Sequence, residues 1–142
     1  MTKFNDMLVP IDDSSRSDIV FEKALQMARN IKSSITLVEV IPPETKSHGG
    51  KNSSPDAQMY REAYKRLQRY RNKVKDDKLK IETMIKYGPP SKTLIRLSRE
   101  YDMIVMGKSK YNPLSPSILD SVAENVLNES HCPVMLVGNY EN

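Results

Sequence analysis

Apolar residues recur along this chain in two alternating rhythms. Short unbroken runs, too brief for a helix, alternate with stretches in which apolar positions return every three or four residues. Met7, Leu8, Val9 and Ile11 make the first run, closed by Asp12, Asp13, Ser14 and Ser15. It predicts a buried strand followed by a turn or helix cap. Over 17–31, Val20, Phe21, Ala24, Leu25, Ala28 and Ile31 keep helical spacing. The β-branched run 35–41 (ITLVEVI) predicts a second strand, stopped by Pro42 and Pro43. Residues 44–55 hold Gly49, Gly50 and mostly polar neighbours and predict a loop. A long helix follows from Asp56, with Tyr60, Ala63, Tyr64, Leu67, Tyr70 and Val74 as the stripe expected to pack on a sheet. Leu79, Ile81, Thr83 and Ile85 alternate over 79–87 and predict a third strand. Gly88, Pro89, Pro90 and Ser91 then break the chain, and Leu94, Ile95 and Leu97 start a short helix ending near Glu100. Residues 103–106 and 133–137 predict the fourth and fifth strands. A helix over about 117–129 lies between them, turning Leu119, Val122, Ala123, Val126 and Leu127 inward.

Strict alternation of strand and helix, with continuously apolar strands, predicts an α/β fold: three layers, α/β/α, around a five-stranded parallel sheet. Ligands bind such sheets beyond the carboxyl ends of the strands, where strand order reverses. That directs attention to Pro10 and Asp12 after the first strand, Val40 and Pro42 at the end of the second, and Gly107 onward after the fourth. Gly107 suits close backbone approach to a phosphate, and the helix beyond it offers unpaired N–H groups and partial positive charge. The loop between is unusual for that purpose. It contains no further glycine and instead carries Lys108, Lys110, Pro113, Pro116 and Asp120.

Composition narrows the picture. A chain of 142 residues fits one domain, 1–142. No apolar run approaches the roughly 20 residues of a membrane span. Residues 1–12 show no basic segment leading into a long apolar stretch, and Cys132 is the sole cysteine. A cytoplasmic, reducing setting is therefore expected. Net charge is +4, yet 61–80 alone holds nine Lys/Arg against Glu62, Asp76 and Asp77. Basic segments with tyrosines can hold single-stranded nucleic acid. Here the tyrosines fall on the apolar stripe, so the cations are expected to form a solvated face and nucleic acid is disfavoured as a partner. His48 and His131 are the only histidines. His131 beside Cys132 lacks the ligand number of a structural zinc site, so no metal is expected. Cys132 opens an apolar strand and is expected to be buried and inert. No Ser-His-Asp set is recognisable, and no catalytic residue is assigned.

The ordered set MLVPIDDSS, ITLVEVI, YGPPSKTLIRLSREYDMIVMG and SVAENVLNESHCPVMLV resembles the universal stress protein family, within the flavodoxin-like adenine-nucleotide-binding superfamily. The resemblance covers nearly the whole chain and implies strand order 3-2-1-4-5. ATP-binding members carry Gly, two residues, Gly, nine residues, Gly, then Ser or Thr. On this chain those positions are Gly107, Lys110, Asp120 and Ser121. The resemblance places an adenosine contact on Asp12 and an apolar contact on Val40, within a nucleotide set of Pro10, Asp12, Val40, Met106, Gly107, Lys110, Ser121 and Val122. Asp12 through Ser15 equally suit the cap of the first helix. An Asp120 carboxylate about 4 Å from a phosphate costs on the order of 4 kcal/mol at an effective dielectric near 20. Lys108 and Lys110 offset part of that, or Lys110 pairs with Asp120 and plugs the site.

The leading expectation is a dimeric regulatory or interaction module of the stress response, with lost or weakened ATP binding, no required cofactor and an unidentified protein partner. Its chemistry would extend at most to slow ATP hydrolysis or autophosphorylation. The resemblance implies a homodimer joined through the fifth strands, here Pro133, Val134, Met135, Leu136 and Val137. An apolar edge strand also needs such cover. The alternative is a switch binding ATP or AMP with Mg²⁺. A third reading is a nucleic-acid module acting through 61–80.

Overall fold

The computed structural model describes residues 5–43, 55–75, 78–108 and 121–138. Along them run β1 (Asp6–Pro10), α1 (Arg16–Ile31), β2 (Ser34–Ile41), α2 (Pro55–Arg71), β3 (Ile81–Tyr87), α3 (Pro90–Leu97), a 3₁₀ turn (Ser98–Glu100), β4 (Met103–Gly107), α4 (Ser121–Glu129) and β5 (Val134–Val137). All strand pairs are parallel, in the order β3-β2-β1-β4-β5. The order reverses between β1 and β4, so the loops after those two strands diverge and leave a crevice at the carboxyl edge.

Side chains of a strand alternate between faces, which explains the two cores. Met7, Val9, Ile35 and Leu37 point to one face, where Phe21, Leu25, Leu67 and Tyr70 cover them. Leu8, Val38, Ile104 and Met106 meet Leu94, Leu97, Ala123 and Val126 on the other. Strands buried on both sides need unbroken apolar runs, and the sequence supplies them.

Two polar contacts fix α2 in place. The Arg66 guanidinium grips Glu39 of β2 with two bonds, Nη2 to Oε2 at 2.7 Å and Nε to Oε1 at 3.1 Å. The Tyr70 hydroxyl donates to Asp18 of α1 at 2.7 Å, and its ring lies 5.0 Å from that of Phe21. A backbone device sets α3. Gly88 takes φ +144°, where an added Cβ would meet Thr93 Oγ1 at 2.9 Å. Its amide donates to Ile41 at 2.9 Å, and the chain turns directly into Pro90, the first residue of α3. Only glycine takes that conformation without strain.

Four apolar positions depart from the sequence pattern. Tyr60 and Tyr64 were expected on the sheet but are 43% and 52% exposed. The contact face of α2 is Ala63, Leu67 and Tyr70. At about 100° per residue, Tyr64 falls on the flank with Gln68, whose amide reaches Thr83 of β3. β3 is an edge strand, so the sheet offers nothing beyond it to cover that flank. Leu127 is also exposed, on the flank of α4 away from Val122. Ile31 is exposed as the last residue of α1. Val74 lies past the end of α2, half-buried against the core. The loop expected over 44–55 and the inward placement of Leu119 fall largely or wholly outside the described residues.

Candidate functional site

β1 ends at Pro10, and the amide of Ile11 still donates to Val38 at 2.8 Å. The chain then bends around Asp12. Its Oδ1 accepts from the Ser14 amide at 2.9 Å, the Ser14 hydroxyl at 2.7 Å and the Ser17 hydroxyl at 3.0 Å. The Asp12 amide donates back to Ser17 Oγ at 2.9 Å. Burial alone would raise the carboxyl pKa. The bonds from Ser14 and Ser17 and the nearby Arg16 charge outweigh it and hold Asp12 below its ordinary value. The helix N-cap itself is Ser15, which makes no side-chain cap bond. Asp12 thus braces the turn ahead of the helix, and among the described residues every bond to its carboxylate falls on Oδ1.

Beyond the strand ends lies a cavity of about 240 Å³. Of the residues proposed from the sequence, Pro10, Asp12, Val40, Met106, Gly107 and Val122 all line it. Val122 belongs to the first turn of α4, so that helix begins at the cavity wall. Ser121, its first residue, is exposed and is not part of the wall, contrary to expectation. Lys110 and Asp120 lie outside the described residues. Seven wall residues had gone unrecognised: Ile11, Ser14, Arg16, Ser17, Val20, Pro90 and Leu94. Pro90 and Leu94 arrive through the Gly88 turn, and Arg16 arrives from the first residue of α1. The Gly-Pro-Pro break was a readable signal for Pro90 and Leu94. Nothing in the spacing marked Arg16.

Arg16 reaches across the crevice to the end of β4. Its Nη1 lies 3.4 Å from the Lys108 carbonyl, a long hydrogen bond, and 3.6 Å from where a Cβ on Gly107 would stand. The Lys108 amide donates to Val137 of β5 at 2.9 Å, which pins the strand-to-loop junction. The cavity therefore has apolar walls, one braced carboxylate and one guanidinium. That arrangement can sandwich a flat or cyclic body and hold a polar group at each end.

At the far sheet edge, Val134, Met135 and Leu136 of β5 are half-buried and Val137 is buried. Pro133 precedes the strand, exposed, and its carbonyl accepts from Ile104 at 2.9 Å. Cys132 is half-buried rather than fully buried; burial pushes its thiol pKa up, against the opposing bond from Ser130. Among the described residues, no group of three His, Cys, Asp or Glu side chains could hold a metal ion. No helix among them is long and apolar enough to cross a membrane.

A parallel sheet in the order 3-2-1-4-5 with its cavity at the β1/β4 reversal is a flavodoxin-like, doubly wound α/β fold. The family model for the universal stress protein family matches residues 3–138, and the chain belongs to that family. A putative universal stress protein of Staphylococcus saprophyticus is 27% identical over 155 residues, covering 99% of this chain and 87% of that protein. Among solved structures, the hypothetical protein MJ0577 is 23% identical with a TM-score of 0.84, covering 99% of this chain and 100% of that one. A universal stress protein family protein from Arabidopsis thaliana, solved with AMP bound, is 17% identical with a TM-score of 0.68, covering 96% and 92%. These structural likenesses establish the shared fold.

Proposed function

We propose that this chain is a cytoplasmic regulatory module without classical catalysis, whose cavity takes the adenosine part of a nucleotide and has lost strong affinity for ATP. One observation carries the reading. The adenosine half of the expected site converges on a real cavity, while two of the three glycine positions of the phosphate motif hold Lys110 and Asp120. The fit is physical as well as positional. Pro10, Val40, Met106 and Pro90 offer apolar walls for a base, and Asp12 Oδ2 offers an acceptor for a ribose hydroxyl. At about 240 Å³ the cavity is of a size to take a nucleoside body. The AMP held by the Arabidopsis relative supports the same choice.

The module acts as a homodimer in this reading. β5 is an edge strand with its apolar residues only partly covered, and pairing with a second copy would cover them. Calorimetric titration with adenosine, AMP and ATP, with and without Mg²⁺, tests the ligand. Micromolar AMP binding with ATP at least about tenfold weaker is expected. ATP binding as tight as AMP would return the chain to an ATP-dependent switch.

A second reading has one observation in its favour. Tyr60 and Tyr64 are exposed on α2, beside the exposed Arg61 and Lys65, as a stacking surface for single-stranded nucleic acid requires. A random oligonucleotide that binds at low salt and is released as salt rises would support it, and no binding at low salt would remove it.

A further inference from the structure

We propose that Arg16 is the phosphate-selecting residue of this cavity and makes it a site for a nucleoside carrying a single phosphate. The inference rests on the adenosine reading above and adds the group that reads the anion.

In a glycine-rich loop, converging backbone amides supply the anion contact. Lys110 and Asp120 stand where two of those glycines would be. The structure supplies a different source of charge. Arg16 contributes the only Lys or Arg side chain in the cavity wall among the described residues. It projects from the start of α1 to the end of β4, 3.4 Å from the Lys108 carbonyl. A Cβ on Gly107 would stand 3.6 Å from Arg16 Nη1 and 3.4 Å from Val20 Cγ2, ordinary contact distances that place the guanidinium beside the strand end.

Among the described residues, no carboxylate lies within salt-bridge distance of Arg16. Asp12, the other charge in the wall, directs Oδ1 to Ser14 and Ser17. Among the described residues only one Arg16 nitrogen has a partner, and that bond is long, so toward them the rest of the fork is open to a ligand. A guanidinium offers paired, parallel donors that match a phosphate, and one fork serves one phosphate. A base against Pro10, Val40 and Pro90, with its sugar at Asp12, would set its first phosphate toward the Gly107 junction, where Arg16 stands. Further phosphates would extend past this single cation.

The test is calorimetric titration of wild type, Arg16→Gln and Arg16→Lys with adenosine and with AMP, each variant first shown by its thermal melt to be folded. Wild type is expected to bind AMP at least about tenfold more tightly than adenosine. Arg16→Gln should bind adenosine as wild type does and lose the preference for AMP. Arg16→Lys should keep part of it, because a lysine supplies the charge without the fork. An AMP preference that survives in Arg16→Gln overturns the role of Arg16 and leaves the adenosine reading standing. Wild type that binds neither ligand overturns the adenosine reading itself, and this inference with it.

Discussion

Replacing Arg66 by Met should destabilise the protein far more than its position on a largely exposed helix suggests. Glu39 lies in the middle of β2, 8% exposed, and its carboxylate faces α2. Both of its oxygens are held by the Arg66 guanidinium, itself only 18% exposed. Arg66→Met keeps the apolar stem but leaves a carboxylate in the core layer without its partner. Breaking a buried pair in this way costs about 3–5 kcal/mol. The lower figure applies here, because the guanidinium side retains some contact with water. An unfolding entropy of roughly 2.1 cal/mol/K per residue makes about 3 kcal/mol worth about 10 °C in Tm for a chain of this length. Glu39→Leu/Arg66→Met removes both charges and should recover most of the loss, since apolar replacement of a buried pair is often neutral. Urea and thermal unfolding of wild type, both single variants and the double variant close the cycle. If Arg66→Met lies within about 0.5 kcal/mol of both wild type and the double variant, the pair is only a surface bridge and the argument is wrong.

Three further outcomes follow from particular contacts. Gly88→Ala places a Cβ at 2.9 Å from Thr93 Oγ1 on a backbone of φ +144° and should cost about 2 kcal/mol in urea unfolding; an unchanged midpoint would mean the turn relaxes freely. Met135→Lys adds a charge to the apolar edge strand and should give monomer in light scattering, whereas a persistent dimer would place the interface elsewhere. Asp12 has its folded pKa held below the ordinary 3.8, so its contribution to stability is present above that value and is lost as pH falls through the folded one. The stability gap between wild type and Asp12→Asn should therefore be full at pH 7 and narrower near pH 3, and a gap indifferent to pH would contradict the bracing role.

Most of the fold is visible in the sequence because buried parallel strands admit only apolar residues. Runs such as MLVPI and ITLVEVI mark the strands and, by their breaks, the site at the strand ends. The cavity residues Pro10, Asp12, Val40, Met106, Gly107 and Val122 were legible for that reason, with the family resemblance implying a nucleotide between them. What was not legible depends on three-dimensional edges. Tyr60 and Tyr64 keep helical spacing with Ala63 and Leu67, and spacing cannot tell that β3 ends the sheet beneath them. Leu127 fails similarly, one helical step outside the face made by Ala123 and Val126. Arg16 was missed because a lone arginine in the first turn of a helix looks like any solvated charge. Only the closeness of α1 to the end of β4 turns it toward Gly107. Glu39 is a lone charge inside ITLVEVI, and only the three-dimensional fold sets Arg66 opposite it.

Amide chemical-shift mapping on ¹⁵N-labelled protein during titration with AMP tests most directly whether the cavity takes a nucleotide. The account predicts saturable shifts at Asp12, Ser17, Val40, Gly107 and Lys108, around the reversal between β1 and β4. No shifts at millimolar AMP, or shifts confined to α2 or β5, would contradict it.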